Sequence, residues 1–139
     1  VSSPPSQKNI NKTGSLSVYQ QGIAVDYAVS RVFTVCSSQA EVVRGKHAHK
    51  ACRQTLFCIS GECTVTCDDG ATRRKITLSS TTEGVYVPPS IWAEQFYHTV
   101  GTTIMVLCDL PYNENDYIRN YDDFLSYRSK CEENQREVL

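Results

Sequence analysis

Two histidines with a single residue between them, His47 and His49 in RGKHAHK, are the residues of this chain best suited to chemistry. An imidazole titrates ordinarily near pH 6.5, so at neutral pH it can take and return a proton or ligate a metal through a neutral nitrogen. If the segment is a strand, positions i and i+2 share a face. His47 and His49 then project together, and Lys46, Ala48 and Lys50 turn the other way. Gln54 follows five residues after His49, where a carboxylate would complete a metal site. A zinc, iron or manganese centre wants three or four nitrogen, oxygen or sulfur donors, and Gln54 offers only a neutral carbonyl. The pair therefore reads as acid–base machinery without a metal. Arg44 and Lys46 stand beside it as cations for a developing oxyanion or a phosphate.

The elements that must hold these side chains read as strands. SLSVYQ, DYAVSRVFTV, VRGKHAHK, RQTLFCIS, ECTVTCD, TRRKITL, GVYVP, WAEQFYH and TTIMVLCD are short, rich in Val, Ile, Thr, Tyr and Phe, and separated by turn residues. Ser60-Gly61 and Asp69-Gly70 suit two-residue hairpin links. Nine strands with no helix between them predict an all-β sandwich or small barrel. The tail differs: Tyr121, Phe124, Leu125 and Arg128 recur at helical spacing, which predicts a short C-terminal helix over a sheet. The expected organisation is a flexible segment over residues 1–12, one domain over 13–130 and a tail over 131–139.

Composition narrows the function classes. The chain has 139 residues, 40% hydrophobic and 21% charged, which suits one globular domain. A net charge of −1 and the lack of a long basic run speak against nucleic acid as the main partner. No apolar stretch approaches the ~18 residues of a membrane span, and VSSPPSQKNINK has no apolar region of a signal peptide. Seven cysteines, an odd number without a CxxC spacing, read as free and mostly buried thiols of a cytoplasmic protein. Cys58 and Cys63 stand where they would face each other across the first expected hairpin. The chain opens at Val1 with a Ser/Pro stretch, which suggests a processed product or one domain fused within a longer parent.

Longer motifs carry a resemblance. His-x-His, four residues, Gln54, six residues and Gly61 is similar to the first cupin motif, in which a Glu stands at the Gln54 position. Gly84, Pro88 and PPSIWAEQ fall where the second motif belongs, with Ala93 in place of its histidine. Cupins are jelly-roll sandwiches, and two of their four ligand positions are missing here. VRGKHAHKACRQTLFCISGECTVTCDDG, GVYVPPSIWAE and MVLCDLPYNENDYIRNYDDF together resemble the nucleotide-sugar 3,4-ketoisomerase family over about residues 12–127. That resemblance implies a cytoplasmic, metal-free and cofactor-free enzyme of deoxy-aminosugar biosynthesis for surface polysaccharide or a natural product, acting on a dTDP-linked 4-keto-6-deoxyhexose. It implies His49 as the main acid/base, with His47 its partner. Arg44, Lys46, Gln54, Trp92, Tyr97 and Arg119 are the expected substrate contacts. Relatives often carry Tyr in the RVFTV strand, where this chain has Phe33 and Thr34; Tyr97, Tyr86 and His98 are the candidate replacements. A 3,5-epimerase and a catalytically decayed binding domain remain the alternatives. The strand-like GSLSVYQQ would leave an exposed edge unless it is laid on a partner's sheet, so a homodimer is expected.

Overall fold

In the computed structural model the nine expected strands all form, and among the described residues three more join them. The structure describes residues 2–3, 7–11, 13–81 and 83–138, with 2–3, 7–11 and 136–138 as backbone only. The strands are β1 (Ser2–Ser3), β2 (Gln7–Asn11), β3 (Gly14–Val18), β4 (Arg31–Cys36), β5 (Val42–His49) and β6 (Gln54–Ser60). They continue as β7 (Cys63–Asp68), β8 (Arg73–Leu78), β9 (Gly84–Val87), β10 (Trp92–Tyr97), β11 (Thr103–Cys108) and β12 (Tyr117–Ile118). One five-stranded sheet runs β1-β9-β6-β11-β4 and the other β12-β5-β10-β7-β8, while β2 and β3 make a separate hairpin. This is the jelly-roll sandwich that the motifs imply.

Alternation explains the layers. Leu56, Cys58, Val85, Ile104 and Val106 of the first sheet meet Cys63, Val65, Cys67 and Tyr97 of the second in one core. The outer face of the first sheet is covered by the segment after β3, with Tyr19, Ala24, Val25 and Tyr27 over Phe57 and Leu107. The Tyr27 hydroxyl donates to the Leu107 carbonyl at 2.7 Å. The outer face of the second sheet lies under helix α1 (Tyr121–Val138), where Phe124 packs on Ala48, Trp92 and Ile118. Asn120 caps that helix by accepting from the Asp123 N–H at 3.0 Å. The helix runs without a break through the region read as a separate tail.

Two local expectations change. Ser60-Gly61 is not a hairpin: β6 and β7 belong to different sheets, so the chain there crosses the sandwich. A turn motif specifies a local reversal but not which sheet the next strand joins. Cys58 and Cys63 consequently enter the core from opposite sheets, and all seven cysteines are free thiols. Asp69-Gly70 does sit in a hairpin, though its loop spans residues 69–72 between the paired Asp68 and Arg73. The first twelve residues, read as flexible, include β1 against Gly84 and Val85 and β2 against β3.

A bulge in β5 aims the site. The β5–β10 register shifts between Ala93 and Glu94, leaving Lys46 as the extra residue. Gly45 has φ +90° and Lys46 φ +53°. A Cβ on Gly45 would lie 2.5 Å from the Gln95 Oε1. Gly45→Ala is therefore expected to cost about 1–3 kcal/mol through strain and contact together. Thermal denaturation checks this, and Gln95→Ala in the same chain should recover part of the loss.

Candidate active site

Between the sheets lies a cavity of about 240 Å³, walled by Phe33, Val35, Leu56, Ile104 and Val106. Its polar groups are Arg44, His47, Gln54, Gln95, Tyr97 and Arg119, five of which were expected from sequence. The bulge turns Arg44 and His47 inward, and His47 sits opposite Ala93 in the register. Gln54 comes from the facing sheet and donates through Nε2 to the Cys108 sulfur at 3.5 Å. Tyr97 is fully buried at the other end of the cavity, and its hydroxyl has no protein partner among the described residues.

His47 is the imidazole that reaches this space. Its Nδ1 lies 2.9 Å from the Gly45 carbonyl, so Nδ1–H donates and Nε2 keeps its lone pair. Burial drives its pKa down to about 4, against the raising effect of the Gly45 carbonyl, and His49 adds to the depression. The ring is thus neutral at physiological pH, in the form a general base requires.

His49 does not line the cavity. It is 5% exposed and sits behind His47, with ring centroids 5.1 Å apart and planes at 84°. Tyr117 covers it at 4.3 Å between ring centroids. His49 Nδ1 donates to the Asp116 Oδ2 at 2.9 Å, and the backbone N–H groups of Ala51 and Cys52 reach the same carboxylate at 2.7 and 3.3 Å. Burial lowers the pKa of His49 while Asp116 opposes the shift. His49, expected from sequence as the principal base, thus lies behind His47 under Tyr117, with its Nε2 buried and without a hydrogen-bond partner among the described residues. His49 becomes the ring against which His47 is packed.

Arg119 lies at the mouth, held by Glu114 at 2.8 Å and stacked 4.3 Å from the Tyr117 ring centroid. Lys46 is exposed and lies outside the cavity lining, because it is the bulged residue. Trp92 is also misplaced by the sequence reading. It packs with Phe124 and Tyr121 beneath α1, on the outer face of the sheet whose inner face carries Ala93. Among the candidate replacements for the missing Tyr, His98 bonds Thr64 at 2.7 Å, away from the cavity, and Tyr86 packs on the outer face of the first sheet. Tyr97 alone faces inward.

Two residues escaped the sequence reading. Asp116 opens the DYIRNYDDF segment, but nothing local shows that its carboxylate reaches back to His49. Arg31 was legible, since it precedes Phe33 and Val35 at alternate positions. Its Nη2 donates to the Tyr117 hydroxyl at 3.2 Å, and it pairs across the sheet with Cys108.

The donors present do not fit a catalytic metal. Ala93 supplies none, and Gln54 supplies only a neutral amide. His49, Cys52 and Asp116 gather ligand atoms within 4.8 Å of one another. The Asp116 carboxylate is already satisfied there by one imidazole and two backbone donors, so the cluster closes without a cation.

Comparison with known proteins agrees with this architecture. Residues 6–129 match the FdtA family, described as WxcM-like, C-terminal. The TDP-4-oxo-6-deoxy-alpha-D-glucose-3,4-oxoisomerase of Aneurinibacillus thermoaerophilus is 38% identical over 124 residues, covering 89% of each chain. QdtA, a sugar 3,4-ketoisomerase from Thermoanaerobacterium thermosaccharolyticum solved with TDP, superposes with a TM-score of 0.87 at 28% identity, over 94% of this chain and 96% of that one. WlaRB, a TDP-quinovose 3,4-ketoisomerase from Campylobacter jejuni, gives a TM-score of 0.80 at 31% identity, over 88% and 94%. With nearly the whole chain matched, and the histidine pair, Gln54 and the closing DYIR segment assembled at one end of the sandwich, this protein belongs to the FdtA family of nucleotide-sugar 3,4-ketoisomerases.

Proposed function

We propose that the protein converts a dTDP-linked 4-keto-6-deoxyglucose to its 3-keto isomer by metal-free acid–base chemistry through an enediol. The observation that carries this reading is His47, held neutral with one free ring nitrogen in the wall of the cavity between the sheets. The cavity's volume falls below the roughly 300–1,000 Å³ of sites that enclose a whole drug-sized ligand. It suits the sugar ring alone, with the nucleotide lying outside, past Arg119.

His47 Nε2 takes the C3 proton, which the neighbouring C4 carbonyl acidifies. The negative charge passes to O4, where the Arg44 and Arg119 guanidinium groups on the cavity wall favour it. The O3 proton moves to oxygen O4, and the imidazolium returns a proton to C4. The carbonyl then stands at C3 and the hydroxyl at C4. Among the described lining residues His47 is the one group that presents an unprotonated ring nitrogen at neutral pH, because burial holds its pKa down at about 4. Burial raises Tyr97 far above it, so one base serves both carbons on one face of the sugar.

The test is incubation with dTDP-4-keto-6-deoxyglucose in deuterated water, followed by NMR. The expected outcome is a carbonyl at C3 and incomplete deuteration at C4, because one base carries part of the original C3 hydrogen across. Deuterium at C5 with the carbonyl unmoved would instead select a 3,5-epimerase, and an unchanged sugar a binding domain. We further propose a cytoplasmic homodimer, with the β2–β3 hairpin, which stands apart from both sheets, laid against a partner. Light scattering should give about twice the 15.6 kDa of one chain; a monomer mass would refute the assembly.

A further inference from the structure

An amide differs from the carboxylate of the cupin motif in having two unlike ends. Gln54 can offer the cavity a carbonyl oxygen or an NH₂ group, and the two serve opposite partners. The sheet makes the choice. Gln54 opens β6 and Cys108 closes β11, and they stand directly opposite in the antiparallel register. Both are buried, Gln54 to 6% exposure and Cys108 to 0%. Gln54 Nε2 donates to the Cys108 sulfur at 3.5 Å. The NH₂ end is thereby turned along the sheet, and Oε1 is left for the cavity that Gln54 lines. A carbonyl in such a place takes its donor from the ligand or from water.

The other polar groups of the lining divide the oxygens of the sugar between them. Arg44 and Arg119 only donate, which suits a C4 carbonyl and the charge that develops on it. Gln95 keeps its own Oε1 against the Gly45 backbone, where an added Cβ would meet it at 2.5 Å. Gln54 Oε1 is then the neutral acceptor for the hydroxyl beside that carbonyl. We infer that Cys108 is a positioning residue: it holds the Gln54 amide with Oε1 toward the sugar, to accept the C3 hydroxyl of the substrate and to discriminate against the 3-keto product. The discrimination follows from the isomerisation itself. The substrate presents O3–H, a donor, to Oε1. The product presents a C3 carbonyl there, so two acceptors face each other with no proton between them. An amide turned the other way would favour the product instead.

The discrimination rests on the isomerase reading; the orientation of the amide does not. The test compares Cys108→Ala with Cys108→Ser in the full chain. Both leave nearly the same gap beside Gln54, so a packing defect would affect them alike, whereas only serine accepts from Nε2. In the alanine variant KM for dTDP-4-keto-6-deoxyglucose should rise about three- to tenfold, the range of one neutral hydrogen bond. Product inhibition, read from progress curves, should strengthen, while dTDP affinity by calorimetry stays within twofold. Cys108→Ser should restore the ratio of KM to the product inhibition constant. NMR of the Gln54 side-chain NH₂, assigned by its loss in Gln54→Glu, reads the orientation directly. Its protons should be protected from solvent exchange in the unaltered protein, lose that protection in Cys108→Ala and regain it in Cys108→Ser. Should the alanine variant not fold, Cys108→Val, apolar and closer in volume to cysteine, takes its place. Equal ratios in the alanine and serine variants overturn the discrimination. A Gln54 amide spectrum that does not respond to loss of the sulfur overturns the positioning role. If the unaltered protein shows no isomerase activity, the functional reading fails, and the amide spectra still decide whether Cys108 orients Gln54.

Discussion

His47→Asn lowers turnover by about 10²–10⁴-fold, the contribution of one positioned acid–base group, and leaves dTDP binding nearly unchanged. The asparagine cannot take a proton from carbon, yet it fills the same wall and leaves the Gly45 bulge in place. Turnover with the dTDP-linked ketosugar and calorimetric titration with dTDP separate the two quantities. A loss of only a few-fold would move the base elsewhere. The pH profile of the unaltered protein carries the same argument. With a pKa of about 4, His47 stays neutral from pH 8 down to about 5. The acid limb of kcat/KM should therefore lie well below the usual histidine range. Stability follows the same shift. The unfolded imidazole binds its proton near pH 6.5 and the folded one only near 4, so the unfolded state carries more protons between them. The stability associated with His47 is fully present above about pH 6.5 and falls away as pH drops toward 4. Denaturant midpoints measured at pH 7.5 and 5 check the sign.

Asp116→Asn should lower kcat by about 10–100-fold, or about 1.4–2.7 kcal/mol of barrier, with KM changed less. Asp116 does not touch the cavity; it acts by holding the proton of His49 on Nδ1. The neutral amide can present either oxygen or NH₂ to that ring, so the tautomer is no longer imposed. His49 then packs differently against His47, whose position determines the reaction. Nitrogen NMR of the two imidazoles supplies a readout that a purely structural role would not move. The Nδ1–H form of His49 should give way to a mixture while the remaining spectrum keeps its dispersion. Asp116→Ala should be worse, because the Ala51 and Cys52 N–H groups also lose their acceptor.

What the sequence determined by itself was the periodic part of the protein. Alternation of apolar residues located nine strands and put His47 and His49 on one face, because side-chain direction in a strand depends only on position along it. The run from Tyr121 to Arg128 announced a helix for the analogous reason. Motif spacing reached further, to Gln54 and Arg119, through its resemblance to a family, but that Gln54 comes from the facing sheet is visible only in the tertiary structure. Only the tertiary structure decided which imidazole lines the cavity. That choice depends on β12, two residues long, which brings Tyr117 over His49 and Asp116 beneath it across 67 residues of chain. It depends also on a bulge that spends one residue, Lys46, and so swings Arg44 inward. Trp92 and the Ser60-Gly61 turn were misread for a related reason. Local pattern tells which side of a strand is apolar, but either side of a sheet in a sandwich can be covered, here by a second sheet on one face and a helix on the other.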